Sequence, residues 1–515
     1  MKLKRRKNVG LCALICACLG LSGCATTLTE RSLSESPLAP IDVPYQAPQA
    51  DAAAPRTVSA VLYFLSYDGS QLLSEVREVE VTDGERLEVV VLQALLDGPK
   101  SSVYKPIATD VALSETLTPV EVSGNVATVN LAAQARLLSP QELYVVRLAI
   151  AKTLIELPEI DYVNVLVEGR EEGHDLAALM PMGTLSRLGT EDLSAQWAQL
   201  EAQRAAEGEQ SITRQATLYF PVRSGSFVAC EARTLTLSSA NLQDYVLALL
   251  EALGRGAVTL GDARDVPAPN EYLSSLPEIA LMDGTADKVV KLSFTLALTQ
   301  AMAEAGLPSS LYWAMLVNTI TTFVPGIDGV VIRVGDMLIE SISAQETVEG
   351  RVVTFPSGVM RRADFAQYIA DSCDLYFPAL TGSNLIHVSR PVRQGYGDSP
   401  RAIMRELLNG PNEDESLLMG QAFPGIIDDS DVIALETQED VLLINLSARF
   451  AQVCSQLERA QERRLIYAIV NTMTDISPIT RVYFFIDGAQ VSTLTGELEM
   501  KGAFLRNPGM IEQQD

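Results

Sequence analysis

Apolar and polar positions switch between a two-residue and a helical period along this 515-residue chain, and the switching comes round three times. In the first third, Val58 to Leu65 and Leu72 to Val81 are β-rich runs flanking Tyr67-Asp68-Gly69-Ser70, which predicts a hairpin. Leu87 to Leu96 carries apolar residues at helical spacing, with Gly98-Pro99 where a helix stops. Val126 to Leu131 alternates as a strand after the turn Ser123-Gly124-Asn125. A second helix is predicted over Pro140 to Leu157, its faces marked by Leu143, Val146, Arg147, Ile150 and Leu154 and its end by Pro158. Tyr162 to Val167 is a further strand. The pattern reads β-β-α-β-α-β, an α+β fold in which two helices cover a sheet.

Fixed offsets show that this unit is repeated. Leu62-Tyr63-Phe64 returns as Leu218-Tyr219-Phe220 and as Leu375-Tyr376-Phe377, 156 and 157 residues further on each time. Fourteen residues after each Tyr stands an arginine, Arg77, Arg233 and Arg390. Gly98, Gly254 and Gly410 follow at 35, 35 and 34 residues, each closing a helical stretch. Thr153, Thr319 and Thr472 lie near the ends of the units, with Gly169, Gly335 and Gly488 sixteen residues beyond them. Self-similarity at a fixed period marks tandem copies of one supersecondary unit. The expected layout is a domain over 57–190, a linker over 191–212, a divergent domain over 213–345, a linker over 346–370, a domain over 371–507 and a disordered tail over 508–515.

The Tyr-Phe strand, the Leu-Leu-x-Gly-Pro helix end at Leu95 to Pro99 and Leu407 to Pro411, the Asn-Leu strand end and the Asn-Thr helix together resemble the GerM-type (GerMN) sporulation and spore-germination domain. Copy two departs from the pattern: Leu253-Gly254-Arg255 has no proline, and Ala257 to Asn270 reads as an altered loop. The resemblance implies a fold like that of ring-building domains. It also implies a non-enzymatic, membrane-tethered extracytoplasmic protein whose tandem copies assemble with one another or with partners.

The first residues supply an address. Lys2, Lys4, Arg5, Arg6 and Lys7 precede an apolar run from Val9 to Leu21, and Leu21-Ser22-Gly23-Cys24 follows. This reads as a lipoprotein signal peptide over 1–23, resembling a bacterial lipobox, with Cys24 the lipid-bearing (palmitate) first residue of the mature chain. The run falls short of the roughly 20 residues that span a bilayer. Thr26 to Arg56, rich in Ala, Pro, Ser and Thr, reads as part of a disordered tether over 24–56. The expected location is the extracytoplasmic face of the cell membrane.

Composition narrows the classes of function. Removing the five basic head residues from 39 Lys and Arg leaves 34 against 65 Asp and Glu, a net charge near −31. Such a field repels phosphate backbones, so nucleic acid is excluded as a partner. Cys230, Cys373 and Cys454 are too few for a disulfide framework, although one pair is open. The two histidines, His174 and His387, make no metal-ligand spacing; the slot of His387 holds Cys230 in copy two and Ser74 in copy one. Gly395-Tyr396-Gly397 lacks the surroundings of a phosphate loop, and Asp428-Asp429-Ser430-Asp431 lacks the glycine and distant glutamate of a calcium loop. No catalytic residue, cofactor or metal is expected.

Arg77, Arg233 and Arg390 remain as candidate interface residues, with a salt bridge inside each copy as the alternative. The linker Thr190 to Glu207 is expected to be a helix with Leu193, Trp197 and Leu200 on one face, its Trp packed on a domain. Val352 to Phe355 is expected to be a strand continuing copy two. The function expected is a scaffold or assembly protein of sporulation, germination or the envelope. Its partners would be other envelope or sporulation proteins, or itself as a homo-oligomer or ring. The alternative is a ligand-binding or regulatory module for an envelope sensor or for cell-wall fragments.

Overall fold

Each copy builds two small sheets. In copy one the strands Arg56–Ser66 and Leu72–Val81 form an antiparallel hairpin, and the helix Leu87–Leu96 follows. Val120–Ser123 then pairs antiparallel with Val126–Leu131, which lies parallel to Tyr162–Val167 across the helix Pro140–Ile155. The same order recurs in copy two, from the hairpin Ile212–Pro221 and Val228–Leu237 to the parallel pair Lys288–Phe294 and Gly329–Val334. It recurs again in copy three, from Ala370–Pro378 and Leu385–Arg393 to Val441–Leu446 and Arg481–Ile486. The structure is a computed structural model that describes residues 45–512, apart from 54–55, 83–84, 159, 174–179, 188–192, 194, 196, 199–201, 203–211, 224–225, 238–240, 283, 348–349, 382, 413–414 and 495–497.

The α+β class is as expected, and copy one runs β-β-α-β-β-α-β rather than β-β-α-β-α-β, while copies two and three insert a short helix, Ala297–Glu304 and Ala448–Cys454, before the last one. The added strand is Val120–Ser123 in copy one, Glu278–Leu281 in copy two and Val432–Gln438 in copy three. In copy one it hides from a period-two reading because all four residues are buried, Glu121 included. A strand covered on both faces loses its alternation.

Local chemistry fixes the element ends. Ser139 and Glu142 form a reciprocal capping box ahead of Pro140, which starts the helix Pro140–Ile155 where a missing N–H costs nothing. Gly98, Gly256 and Gly410 close the first helix of each copy at φ of 90°, 77° and 80°, the left-handed region that suits glycine. In copy two the corresponding residue is therefore Gly256 and not Gly254, which is still helical in Leu242–Gly254.

Each copy has an apolar core between its helices and sheets, and copy two's core extends beyond the copy. It takes in Val126 and Met180 from the first copy and Phe355, Phe365 and Tyr368 from the second linker. From Tyr45 onward the chain is one compact unit. Val353–Thr354 is a strand, as expected, but it pairs with Ser341–Ile342 in a separate ribbon; Val359–Met360 is the linker strand that joins copy two's sheet, beside Val330 and Val331. Most of the first linker lies outside the described residues. Its Trp197 packs edge-on to Tyr144 at 5.4 Å, which makes it a packing residue of copy one.

One expectation is overturned at the N-terminal side. The end of the expected tether is ordered: Tyr45 lies 4.9 Å from Tyr483, and Ala52–Ala53 pairs with Glu436 and Thr437. The cause is an apolar patch on the outer sheet face of copy three, Val441, Leu443, Tyr483 and Phe485, which Tyr45 and Ala47 cover. Among the described residues no helix is long and apolar enough to cross a membrane. The signal and Cys24 lie outside the described residues.

Candidate functional site

The three repeated arginines are internal clasps. Arg77 donates to Ala94 O at 2.7 Å and Gly98 O at 2.9 Å, at the end of its copy's first helix. Arg233 reaches Ala252 O at 3.1 Å and Gly256 O at 2.8 Å. Arg390 reaches Glu406 O at 3.4 Å and Gly410 O at 2.9 Å. A helix end leaves carbonyls without partners, and a cation there satisfies them while meeting the favourable end of the helix dipole. Each guanidinium also stands over the Phe of its Tyr-Phe pair, at 5.4, 5.7 and 5.5 Å from the rings of Phe64, Phe220 and Phe377. Glu75, Glu231 and Glu415 pair with the three in turn. Burial works against the charges of Glu75 and Glu231, yet hydrogen bonds from neighbouring amides and from the arginines hold both carboxyls below their usual range. Of the two readings open for Arg77, Arg233 and Arg390, these bonds match the salt bridge inside each copy: they stay within their own copies and join strand to helix.

The repeated threonines act in the same way. Thr153, Thr319 and Thr472 each accept the backbone N–H of the repeated Tyr at 3.1 Å. The first strand and the last helix are thus locked at one point in every copy.

Apart from the repeated Tyr219, contact between copies is made by residues that the repeat pattern does not single out. The outer face of copy one's sheet receives the hairpin of copy two. Asn164 Nδ2 donates to Thr217 Oγ1 at 2.9 Å, Thr184 and Thr217 hydroxyls are 2.9 Å apart, and the Cys230 amide donates to Ser123 Oγ at 3.2 Å. At the centre stands Arg362, from the linker before copy three. It is 2% exposed and pairs with Glu121 of copy one, itself 3% exposed. It also donates to the Tyr219 hydroxyl and to Thr322 Oγ1, both at 2.8 Å, in copy two. Burial opposes its charge, but Glu121 beside it raises its pKa above the ordinary value. Burial pushes the Tyr219 phenol up to about 12. The available sequence signal for this junction was slight: an arginine within the linker between copies two and three.

Copy three also touches copy one. Gln394 Nε2 donates to Val122 O at 2.7 Å and its Oε1 accepts from Arg86 at 2.6 Å. The amides of Gly395 and Gly397 are engaged by Asp371 at 3.0 and 3.2 Å, so this stretch is a turn that holds a carboxylate. Where the three copies meet there is a cavity of about 410 Å³, lined among others by Ser123, Tyr162, Cys230, Leu260, Asp371 and Pro391.

The remaining candidates resolve individually. Cys230, Cys373 and Cys454 are buried free thiols, and burial pushes Cys230 and Cys454 up to about 12. A thiol held protonated is a poor nucleophile. His387 sits 2.9 Å from Asp374 on a side chain 42% exposed, beside Tyr376. Asp428 and Asp431 are bridged by Arg449 at 2.9 and 2.5 Å. Among the described residues no group of three or more ligating side chains is placed to hold a metal ion. His174 lies outside them.

Comparison with known proteins finds one matching family. Residues 61–173 and 374–492 match the family model Germane, described as sporulation and spore germination. The matched segments fall in copies one and three, which are therefore similar to the sporulation and germination family. Among solved structures, the tandem GerMN domains of the sporulation protein GerM from Bacillus subtilis align at 19% identity and TM-score 0.21, covering 59% of this chain and 99% of that one. The first GerMN domain of that protein aligns at 18% identity and TM-score 0.18, covering 26% of this chain and 98% of its own. No curated protein matches the chain at a significant level. The family description names a cellular process and no reaction.

Proposed function

We propose that this GerM-type chain is a non-enzymatic assembly protein that acts at the extracytoplasmic face of the cell membrane in sporulation, germination or envelope construction. The observation that carries the reading is the seating of one copy's hairpin on the sheet of the next, centred on the Arg362–Glu121 pair. A fold that docks sheet to hairpin within one chain has the surfaces to dock other chains of the same fold. Polar, hydrogen-bonded faces give such contacts specificity more than raw affinity. In this reading Cys24 carries the lipid, and confinement at the membrane raises the effective concentration of partners there.

In-cell crosslinking during sporulation and during vegetative growth, followed by identification of what is captured, tests the proposal. The reading predicts defined envelope or sporulation proteins in the captured set. Specific retention on purified wall with no protein captured would sink it. Cys24→Ala should leave the domains folded and release the chain from the membrane fraction. The cavity between the three copies favours a second reading, a binder of cell-wall fragments, which predicts a thermal shift with soluble fragments and no specific protein capture.

A further inference from the structure

The sheets of copies one and three present the same outward positions to different neighbours. In the parallel register Thr128 stands opposite Asn164, and at the corresponding places in copy three Leu443 stands opposite Tyr483. On copy one Thr128 and Asn164 make the middle of this face polar between Val126 and Leu166, and the hairpin of copy two is seated there through Asn164 and Thr217. On copy three it is apolar: Val441, Leu443, Tyr483 and Phe485 form a cluster apart from that copy's core. Its cover is the short N-terminal segment, whose bonds are few. Asn445 Nδ2 donates to Pro48 O at 2.9 Å, the Leu435 amide donates to Asp51 at 3.0 Å, and a two-residue strand runs beside Glu436.

The hairpin faces change in step with the sheet faces. Thr217, Tyr219, Cys230 and Ala232 lie on the docked face of copy two; at the same offsets copy one has Val61, Tyr63, Ser74 and Val76. Thr217 and Tyr219 are 0% and 1% exposed, whereas Val76 is 69% exposed. Inside the chain Thr217 thus rests on a sheet face whose centre is polar. A more apolar hairpin face at one end and an apolar sheet face at the other are left without each other.

We infer that the outer sheet face of copy three is a head-to-tail docking site for the copy-one hairpin of a second copy of this chain, and that residues 45–53 are the strap it displaces. This rests on the assembly reading above and names its partner. The pairing reproduces the junction between copies one and two, with valine and tyrosine in place of threonine and asparagine. Because the two surfaces differ, the contact is heterologous and propagates into a ring or an open filament.

Sedimentation velocity on the full-length chain in detergent tests this. A strap closed about nine-tenths of the time weakens apparent affinity about tenfold, so releasing it should strengthen self-association by about that factor. Tyr45→Asp with Ala47→Asp releases the strap at the patch, and Asp51→Ala with Ala52→Pro weakens it outside the patch; both should act in the same direction. Adding Val76→Glu, at a solvent-exposed position, should abolish the association. Released chains that stay monomeric, or association that survives Val76→Glu, overturn the inference. If they stay monomeric while in-cell crosslinking still captures envelope proteins, the assembly reading stands without this contact. If capture fails too, both fall.

Discussion

One sheet face is filled in two ways in this molecule. On copy one it holds a folded hairpin, sealed by a buried ion pair between Glu121 and Arg362 and by hydroxyl and amide bonds. On copy three it holds a short extended segment through Tyr45, Ala47 and a few backbone bonds. The first arrangement unites elements that each have a core of their own, so undoing it means separating copies. The second can open alone, because a short segment with little buried apolar area sits at the low end of local stability. The lesson is that equivalent positions in a repeat can serve as a permanent joint in one copy and an exchangeable one in another.

Breaking the joint should have the largest effect. Arg362→Met strands Glu121 without a partner in a dry site, and loss of one member of a buried pair costs about 3–5 kcal/mol. Urea denaturation should show that loss, and Glu121→Leu added to Arg362→Met should restore much of it. The clasps come next. Arg77→Ala or Arg390→Ala removes charged hydrogen bonds to helix-end carbonyls, each worth about 1.5–3 kcal/mol, and should cost about 2 kcal/mol. Lysine at either position should rescue only in part, since it lacks the planar fork that reaches two carbonyls.

A pH effect is expected at the copy-one to copy-three seam. Burial raises the Glu88 carboxyl above its ordinary 4.5, with Arg86 opposing the shift and Asp398 and Asp371 adding to it. Such a group binds its proton more tightly folded than unfolded. Its stabilising contribution is fully present below 4.5 and is lost as pH rises through the raised value. Glu88→Gln should therefore be more stable than the parent above that window and alike below it, as thermal melts on either side would show. The smallest effect is expected at the strap. Tyr45→Ala should shift the global midpoint by less than about 1 kcal/mol while loosening only the amides near Glu436.

Much of this was legible in the sequence, for a physical reason. The Tyr-Phe pairs, the arginines fourteen residues on and the threonines recur because each makes a bond inside its own copy, so every copy needs it. What the arginines do was not legible. Three matching charges point to a salt bridge inside each copy or to an interface, but the two carbonyls each guanidinium reaches at a helix end come together only after folding. A constant offset points to Gly254, whereas copy two's helix is longer before its left-handed glycine, Gly256. Val120–Ser123 was missed because Glu121 is buried by a neighbour from another copy. Tyr45 was read as tether because its partner, Tyr483, lies more than four hundred residues away in the chain. The junction residues Glu121, Asn164 and Arg362 do not repeat, and a search for repeats passes over them.

Hydrogen exchange read at two amides tests the comparison most directly. The Cys230 amide donates across the joint to Ser123, and the Leu435 amide donates to Asp51 of the strap. If the joint is permanent and the strap exchangeable, Leu435 should exchange by a local opening that Asp51→Ala accelerates, while Cys230 exchanges only with global unfolding. Equal protection at both amides, falling together as denaturant is added, would contradict the account.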